Sequence, residues 1–547
     1  MSEFIADLSR KERSISSGKP VQYTMKNRSH VLQAKSKKRA KQLNAPLATA
    51  SIVTALSVAE RSLGFLYRIV LSRLLGAEGL GMYQVSLSLF SVFLTLGTGG
   101  IPITVSRLIS KSKAEKNPRG ERGAVSAGVF LCLLITVPAL FILLPFGQHL
   151  TFLFSDERCI PLFKILLLGL IFSSLYAVFR GYFWGNKSFL LPSVLEIAEE
   201  TVMVIVGVLL LQNVSSPLDG ATKAAWAVVL SYLFSFTVST LCFFGKGGKL
   251  SSPKKQLKPL FNATLPITSV RASGSLVNSA VAILLPAMLI RAGVSETGAL
   301  ELFGVVSGMA IPILFIPSTI IGSLSLVLVP DLSENFYRKN TERLYLNIKR
   351  GLSVAFLVSC FLFPFFFVLG EDLGALAFSN ALAGELIKKG ASLLLPLSLT
   401  IISTGMLNSM GFERQTLVYY FLGAAALLLC VWLLPPVCGA FAYILGLIAC
   451  HTVNALCNLW LLGKKCKGLY GQMRKSFFKK ALAALLAIFP ICLFGTLARN
   501  LFIYAFGGFL AALFTALATA LFSLLLYWLL GLFSFKSLLV WKTKRAA

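Results

Sequence analysis

Residues 47–75 read LATASIVTALSVAERSLGFLYRIVLSRLL. The stretch is long enough to cross a bilayer, which takes about 20 residues at 1.5 Å of rise each. It nevertheless carries Glu60, Arg61 and Arg68. A charge at that depth costs at least about 2.5–3.5 kcal/mol, so it normally faces a wet cavity or a partner. Arg61, Gly64, Phe65 and Arg68 recur at i, i+3, i+4 and i+7, which puts both arginines on one helical face. Two guanidinium groups inside a membrane protein suit an anionic headgroup. The competing readings are a buried Arg61–Glu60 pair and an Arg68 that snorkels to the surface.

Composition carries the membrane reading across the whole chain. Of 547 residues, 56% are hydrophobic and 14% charged, and mean hydropathy is +0.78. A soluble domain carries roughly 25% charged residues. The net charge of +30 would suggest nucleic acid in a soluble protein. Here the basic residues lie in short loops between apolar spans, where they set orientation, so no nucleic-acid partner is expected.

Fourteen such spans can be marked, from 47–73 to 502–531. Alternate connections are basic: one side collects 41 of the 52 Lys and Arg residues and the other seven. That asymmetry predicts both termini in the cytoplasm. Residues 1–45, with eleven basic residues and no signal-peptide core, read as a mostly disordered cytoplasmic tail. Its 35–41 cluster either touches anionic membrane lipid or serves as a plain positive-inside anchor. The longest outer connection, about 371–387, is small and apolar in character. Such loops do not provide the catalytic cluster a membrane glycan polymerase needs.

Spans two and eight echo one another, as do the ends of spans four and ten, each pair offset by six spans. Repeated halves mark transporters that alternate access around a central site. The expected organisation is a tail (1–45), a six-helix bundle (46–245), a basic linker (246–259), a second six-helix bundle (260–463), and two further helices with a cytoplasmic tail (464–547).

Span seven, TLPITSVRASGSLVNSAVAILLP, sets Thr268, Arg271, Ser275 and Asn278 on one polar stripe. Arg271 is either a cavity residue or the partner of a glutamate on another helix. Span five carries Glu196, Glu199 and Glu200, with Glu196 on a shared face with the other two. With Glu60 they either pair with Arg61, Arg68 or Arg271, or take up a coupling proton or cation. His451, Asn454 and Asn458 read as interhelical glue. The ten cysteines read as apolar fillers, and no metal-ligand spacing is visible. No P-loop, G-x-S-x-G or H-E-x-x-H occurs, so no catalytic residue, cofactor or ATP site is expected. Transport would then draw on an ion gradient or the membrane potential.

Residues 75–110, LGAEGLGMYQVSLSLFSVFLTLGTGGIPITVSRLIS, resemble the second-helix signature of the stage V sporulation protein B family. That family sits in the MOP exporter superfamily, alongside the MurJ-type lipid II flippases. GMAIPILFIPSTIIGSLSLVLVPDLSE (308–334) and RGYFWGNKSFLLPSVLEIAEE (180–200) resemble further segments of it. The resemblance implies an all-α membrane protein of about 14 helices, with two pseudo-symmetric six-helix bundles facing each other as a V and two C-terminal helices appended. It implies a non-enzymatic, monomeric flippase in a bacterial cell membrane. The implied cargo is a polyprenyl-pyrophosphate-linked oligosaccharide, for cell wall, spore cortex or polysaccharide synthesis. Arg61 and Arg68 stand where such flippases carry cavity arginines. The alternative is a multidrug or cation antiporter of the same superfamily, which would use the glutamates.

Overall fold

The computed structural model describes residues 22–146, 151, 154, 156–466, 477–506 and 508–532, and among these there is helix and no strand. Residues 1–21 of the basic tail, 467–476 and 533–547 are among those outside them. The opening helix, α1 (Gln22–Thr98), begins well inside the stretch expected to be disordered. Spans one and two are joined within it at Gly76, whose φ of 69° is a left-handed conformation that favours glycine. A second break at Gly99 and Gly100 leads into α2 (Ile101–Ala114), with Pro102 in its first turn, where a missing N–H costs nothing.

The first lobe continues with α3 (Pro118–Phe146), α4 (Cys159–Gly185), α5 (Leu190–Leu210) and α6 (Pro217–Gly245). The second begins with α7 (Lys254–Arg291). Span eight is then divided: α8 (Glu296–Phe303), a π-helical turn at Gly304–Ala310, α9 (Ile311–Leu314) and α10 (Ile316–Tyr337). Pro312 and Pro317 sit in the first turns of α9 and α10 and mark the points where the span divides. After α11 (Thr341–Phe378) comes α12 (Ala381–Gly390), leaving only Ser379 and Asn380 between them. The expected outer loop at 371–387 is therefore mostly helix. The Asn380 side chain accepts from Ala383 N at 2.9 Å and starts α12 in place of a longer connection. The rest is α13 (Leu394–Ser409), α14 (Glu413–Leu433), α15 (Pro435–Cys438), α16 (Phe441–Lys465), α17 (Phe477–Phe506) and α18 (Gly508–Leu529).

Among the described residues, 13 stretches are long and apolar enough to cross a membrane. Dividing Ile52–Ala114 at Gly76, adding glutamate-bearing α5 and rejoining span eight recovers fourteen crossings. The chain is a multi-pass, all-α membrane protein.

The distribution of the core gives this bundle its shape. The largest cluster of buried apolar residues joins the two lobes. It includes Leu80, Phe90, Phe163 and Leu166 from the first, and Leu285, Val306, Leu314 and Ile387 from the second. They run from the end near the short, weakly charged loops to the middle of the bundle, where Phe90 stacks on Tyr232. Near the basic loops the lobes have separate cores. Val105, Ala127, Val178 and Phe243 form one, with Leu260 from the start of α7. Leu332, Ile348, Met406 and Leu462 form the other. The α17–α18 pair packs on α11 through Ala484, Ile491 and Tyr527 against Phe356 and Cys360.

Helix α7 straddles the lobes. Thr95 Oγ1 and Ser275 Oγ are 2.7 Å apart, Gly100 N donates to Thr268 Oγ1 at 3.0 Å, and Ser279 Oγ donates to Ser88 O at 2.8 Å. At the short-loop end, glycines bring the lobes into backbone contact. A Cβ on Gly81 would overlap the Leu300 carbonyl oxygen, and one on Gly304 would overlap that of Ala77. Close approach through small residues is how helices associate in lipid, where apolar burial gives little drive. Arg73 crosses the same seam, donating to the carbonyls of Leu376 and Ala377 at the end of α11.

Gly81→Ala or Gly304→Ala forces backbone against backbone, and overpacking of that kind costs typically about 1–3 kcal/mol. Each is expected to lower the thermal unfolding midpoint in detergent. Gly322→Ala, where a Cβ meets nothing within 4 Å, is expected to leave it unchanged.

Candidate functional site: a charged chamber beside the first helix

A cavity of about 530 Å³ lies between α1, α5 and α6 of the first lobe and α9–α10 of the second. Arg61, Gly64 and Arg68 line it from the face of α1 that the sequence spacing picks out. Glu60, Glu199, Glu200, Tyr83, Gln84 and Tyr232 add further polar groups, and Pro312, Phe315 and Thr319 form the opposing wall. Its volume is within the roughly 300–1,000 Å³ of small-molecule sites. The lobe-spanning core and the Gly81–Gly304 crossing lie on its short-loop side. Toward the other end, Ile52 and Val58 of α1 are exposed, as are Ile316 and Ile320 of α10.

A second cavity of about 230 Å³ adjoins it, sharing Glu60, Glu199, Glu200 and Tyr232, and is completed by Thr98, Tyr176, Arg180 and Glu196. Together the two chambers gather four carboxylates and three guanidinium groups.

Their partners differ from those expected. Glu196 pairs with Arg180 at 2.9 Å, not with Arg61, Arg68 or Arg271. Glu199 accepts from the Ser235 hydroxyl of α6. Glu200 lies against α1 at Gly64, where a Cβ would come 2.7 Å from its Oε1. The Tyr67 hydroxyl is buried without a hydrogen-bond partner, pressed against Gly207. Among the described residues neither Arg61 nor Arg68 is in an ion pair, and this includes the considered Arg61–Glu60 pair. Arg61 is exposed and Arg68 half-buried.

The polar stripe of α7 divides. Thr268 and Ser275 are occupied in the interlobe bonds described above, while Arg271 and Asn278 are exposed and line neither chamber. Of the second-lobe residues expected to help form the cavity, none reaches it; α9 and α10 form that wall. Of His451, Asn454 and Asn458, only Asn458 joins helices through its side chain; His451 does so through its backbone carbonyl, and Asn454 bonds Cys450 Sγ within its own helix at 3.5 Å. Thr400 Oγ1 donates to His451 O at 2.7 Å, and Asn458 Nδ2 donates to Ser403 and Thr404 at 3.1 and 2.9 Å.

Arg180 escaped the sequence reading, which counted it with a basic loop. It lies in the last two turns of α4, its guanidinium 5.8 Å from the Tyr176 ring centroid and 5.2 Å from that of Trp184. The signal was there: aromatic residues at i−4 and i+4 share its helical face, and a glutamate follows 16 residues on.

A third charged cavity, about 670 Å³, opens at the short-loop end between α11, α12 and α17. Arg499 forms a two-pronged bond to Asp372 at 2.7 and 2.8 Å and approaches Glu371 at 3.1 Å. Lys388 bonds Glu371 at 2.8 Å. The Arg499 contacts fasten α17 to α11, and the Lys388 bond fastens α12 to the same helix. Bidentate guanidinium–carboxylate geometry is the strong form of such a contact. In a double-mutant cycle of Asp372→Ala and Arg499→Ala, followed by thermal unfolding, the coupling is expected to fall within about 0.5–3 kcal/mol. Strict additivity would show that the clamp holds nothing.

Comparison with known proteins follows the same lines. The polysaccharide biosynthesis protein family matches residues 47–336, just over half the chain. Stage V sporulation protein B of Bacillus subtilis (strain 168) is 26% identical over 355 residues, covering 62% of this chain and 67% of that protein. Lipid II flippase MurJ of the same organism is 22% identical over 334 residues, covering 56% and 61%. Among solved structures, a lipid II flippase MurJ in an inward closed conformation gives a TM-score of 0.64 at 14% identity, over 87% of this chain and 98% of that one. An inward-facing multidrug resistance MATE family transporter of the MOP superfamily gives 0.62 at 15% identity, over 76% and 96%. At those identities the likeness concerns the fold, which is that of the MOP transporters.

Proposed function

The chain belongs to the polysaccharide biosynthesis protein family, and from that premise we propose that it is a flippase for a polyprenyl-pyrophosphate-linked oligosaccharide. The observation that carries this reading is the chamber beside α1. Two arginines share one helical face, line a cavity of about 530 Å³ and are spared any ion pair among the described residues. With Arg61 exposed and Arg68 half-buried, both guanidinium groups are free to take an anionic ligand.

The basic loops and both termini face the cytoplasm of a bacterial cell, by the positive-inside asymmetry. The end where the lobes share a core then faces outward, so this arrangement is the one that loads from within. Arg61 and Arg68 hold the pyrophosphate, the sugars occupy the chamber, and the polyprenyl tail stays in lipid. The lobes then rock: the Gly81–Gly304 seam parts, the basic ends close, and the headgroup is released outside. An inside-negative potential is worth about 2.3 kcal/mol per charge per 100 mV, and it drives a polyanion outward. Peptidoglycan precursor and polysaccharide repeat unit share the chemistry that the two arginines recognise.

The carboxylates favour a second reading, a cation or multidrug antiporter of the same superfamily. Against it stand the unpaired arginines, which repel a cationic drug from the same chamber.

Reconstitution in liposomes holding lipid II separates the two. The wild-type protein is expected to move lipid II to the opposite leaflet. In the Arg61→Ala/Arg68→Ala variant the rate is expected to fall at least about tenfold, the loss of one or more charged contacts. Arg271→Ala, outside the chamber, is expected to lose less. Undiminished flipping by the double variant, or resistance to cationic drugs conferred on a sensitive host, would overturn the reading.

A further inference from the structure

The chamber holds a third arginine whose bonding is incomplete. The Arg180 Nη1 donates to Glu196 at 2.9 Å, while its Nε is buried and has no hydrogen-bond partner. A guanidinium has five donors in a planar fork. Here Nη1 is taken by a single carboxylate oxygen and the buried Nε is left without an acceptor. The Tyr176 and Trp184 rings lie close to the guanidinium on the same helix, which limits its swing. Arg180 and Glu196 line the 230 Å³ chamber, and Glu60, Glu199, Glu200 and Tyr232 are common to it and the chamber of Arg61 and Arg68.

Resting on the flippase reading, we infer that Arg180 is a third phosphoryl-binding residue, and that Glu196 is its place-holder in the empty chamber. Without cargo, Glu196 neutralises a charge that would otherwise stand unpaired. A phosphoryl group entering from the larger chamber offers several acceptors and fits the fork at Nε and Nη, which one carboxylate oxygen does not. It takes Arg180 over, and Glu196 is displaced. The pair therefore sets specificity. A neutral headgroup cannot displace Glu196, and a diphosphate reaches both the Arg61–Arg68 face and Arg180.

The test is equilibrium binding to the full-length protein in detergent, with farnesyl pyrophosphate and inorganic pyrophosphate as probes. Wild-type protein is expected to bind both, and farnesyl pyrophosphate more tightly. Arg180→Ala is expected to weaken binding about tenfold and Arg180→Lys, which keeps the charge and loses the fork, by less. Glu196→Gln is expected to tighten binding several-fold, because the place-holder competes less well. A merely structural pair gives the opposite sign, and a misfolded variant cannot gain affinity. Glu196→Gln binding no better than wild type, or Arg180→Ala binding equally well, overturns the assignment. Equal affinity for the two probes overturns a lipid-linked source for the phosphoryl group. Binding that survives Arg61→Ala/Arg68→Ala instead removes the flippase reading itself.

Discussion

The lobes are bound at one end and free at the other, and the rest of the structure depends on that asymmetry. Near the short loops a single apolar core runs from Leu80 and Phe163 through Leu285 to Ile387, and glycines let the backbones touch at Gly81 and Gly304. Near the basic loops the cores are separate. A chamber between the lobes then has a closed end and an unsealed one. Exchanging which end is joined requires no new fold, only a second packing of surfaces that are already apolar. The seam is built from small residues and from Arg73 on two backbone carbonyls. With the apolar core beside it, this seam is the contact that parts in the proposed cycle.

Charge is distributed by the same logic. At the short-loop rim of the second lobe the ionic groups are matched: Arg499 with Asp372, Lys388 with Glu371. There the pairs hold helices together. In the chamber one pair is made, Arg180 with Glu196, and Arg61 and Arg68 stand apart from it. A protein that only needed stability would have little reason to leave two guanidinium groups at membrane depth without carboxylates, since four lie within the same pair of cavities. Arginines without ion-pair partners, in a space large enough for a ligand, are what supports the proposed anion site.

Much of this was legible in the chain. Apolar length gave the crossings, loop charge gave the alternation of ends, and the i, i+3, i+7 spacing put Arg61 and Arg68 on the face that lines the chamber. Periodicity could not say which helix a face meets. The α7 stripe looks like a cavity wall, but Thr268 and Ser275 are consumed by hydrogen bonds to the first lobe, and Arg271 is exposed outside the chamber. Pairing also depends on helices remote in sequence: Glu196 is taken by Arg180 of α4 and Glu199 by Ser235 of α6, and only Glu200 lies against α1. Arg180 was missed because a basic residue near a span end looks like a topology signal until its helix is seen to continue five residues further, to Gly185. The stretch 371–387 misled for a related reason. Small, weakly apolar residues read as a loop, while two capped helices need only Ser379 and Asn380 to turn the chain.

The most direct test of the central claim is a cryo-electron microscopy structure of the full-length protein with a lipid-linked pyrophosphate sugar bound. The account predicts phosphoryl density between Arg61 and Arg68, with the sugars in the chamber walled by α5 and α10. Phosphoryl density beside Arg271 on the exposed face of α7, with Arg61 and Arg68 drawn instead into pairs with Glu60 and Glu200, would contradict it.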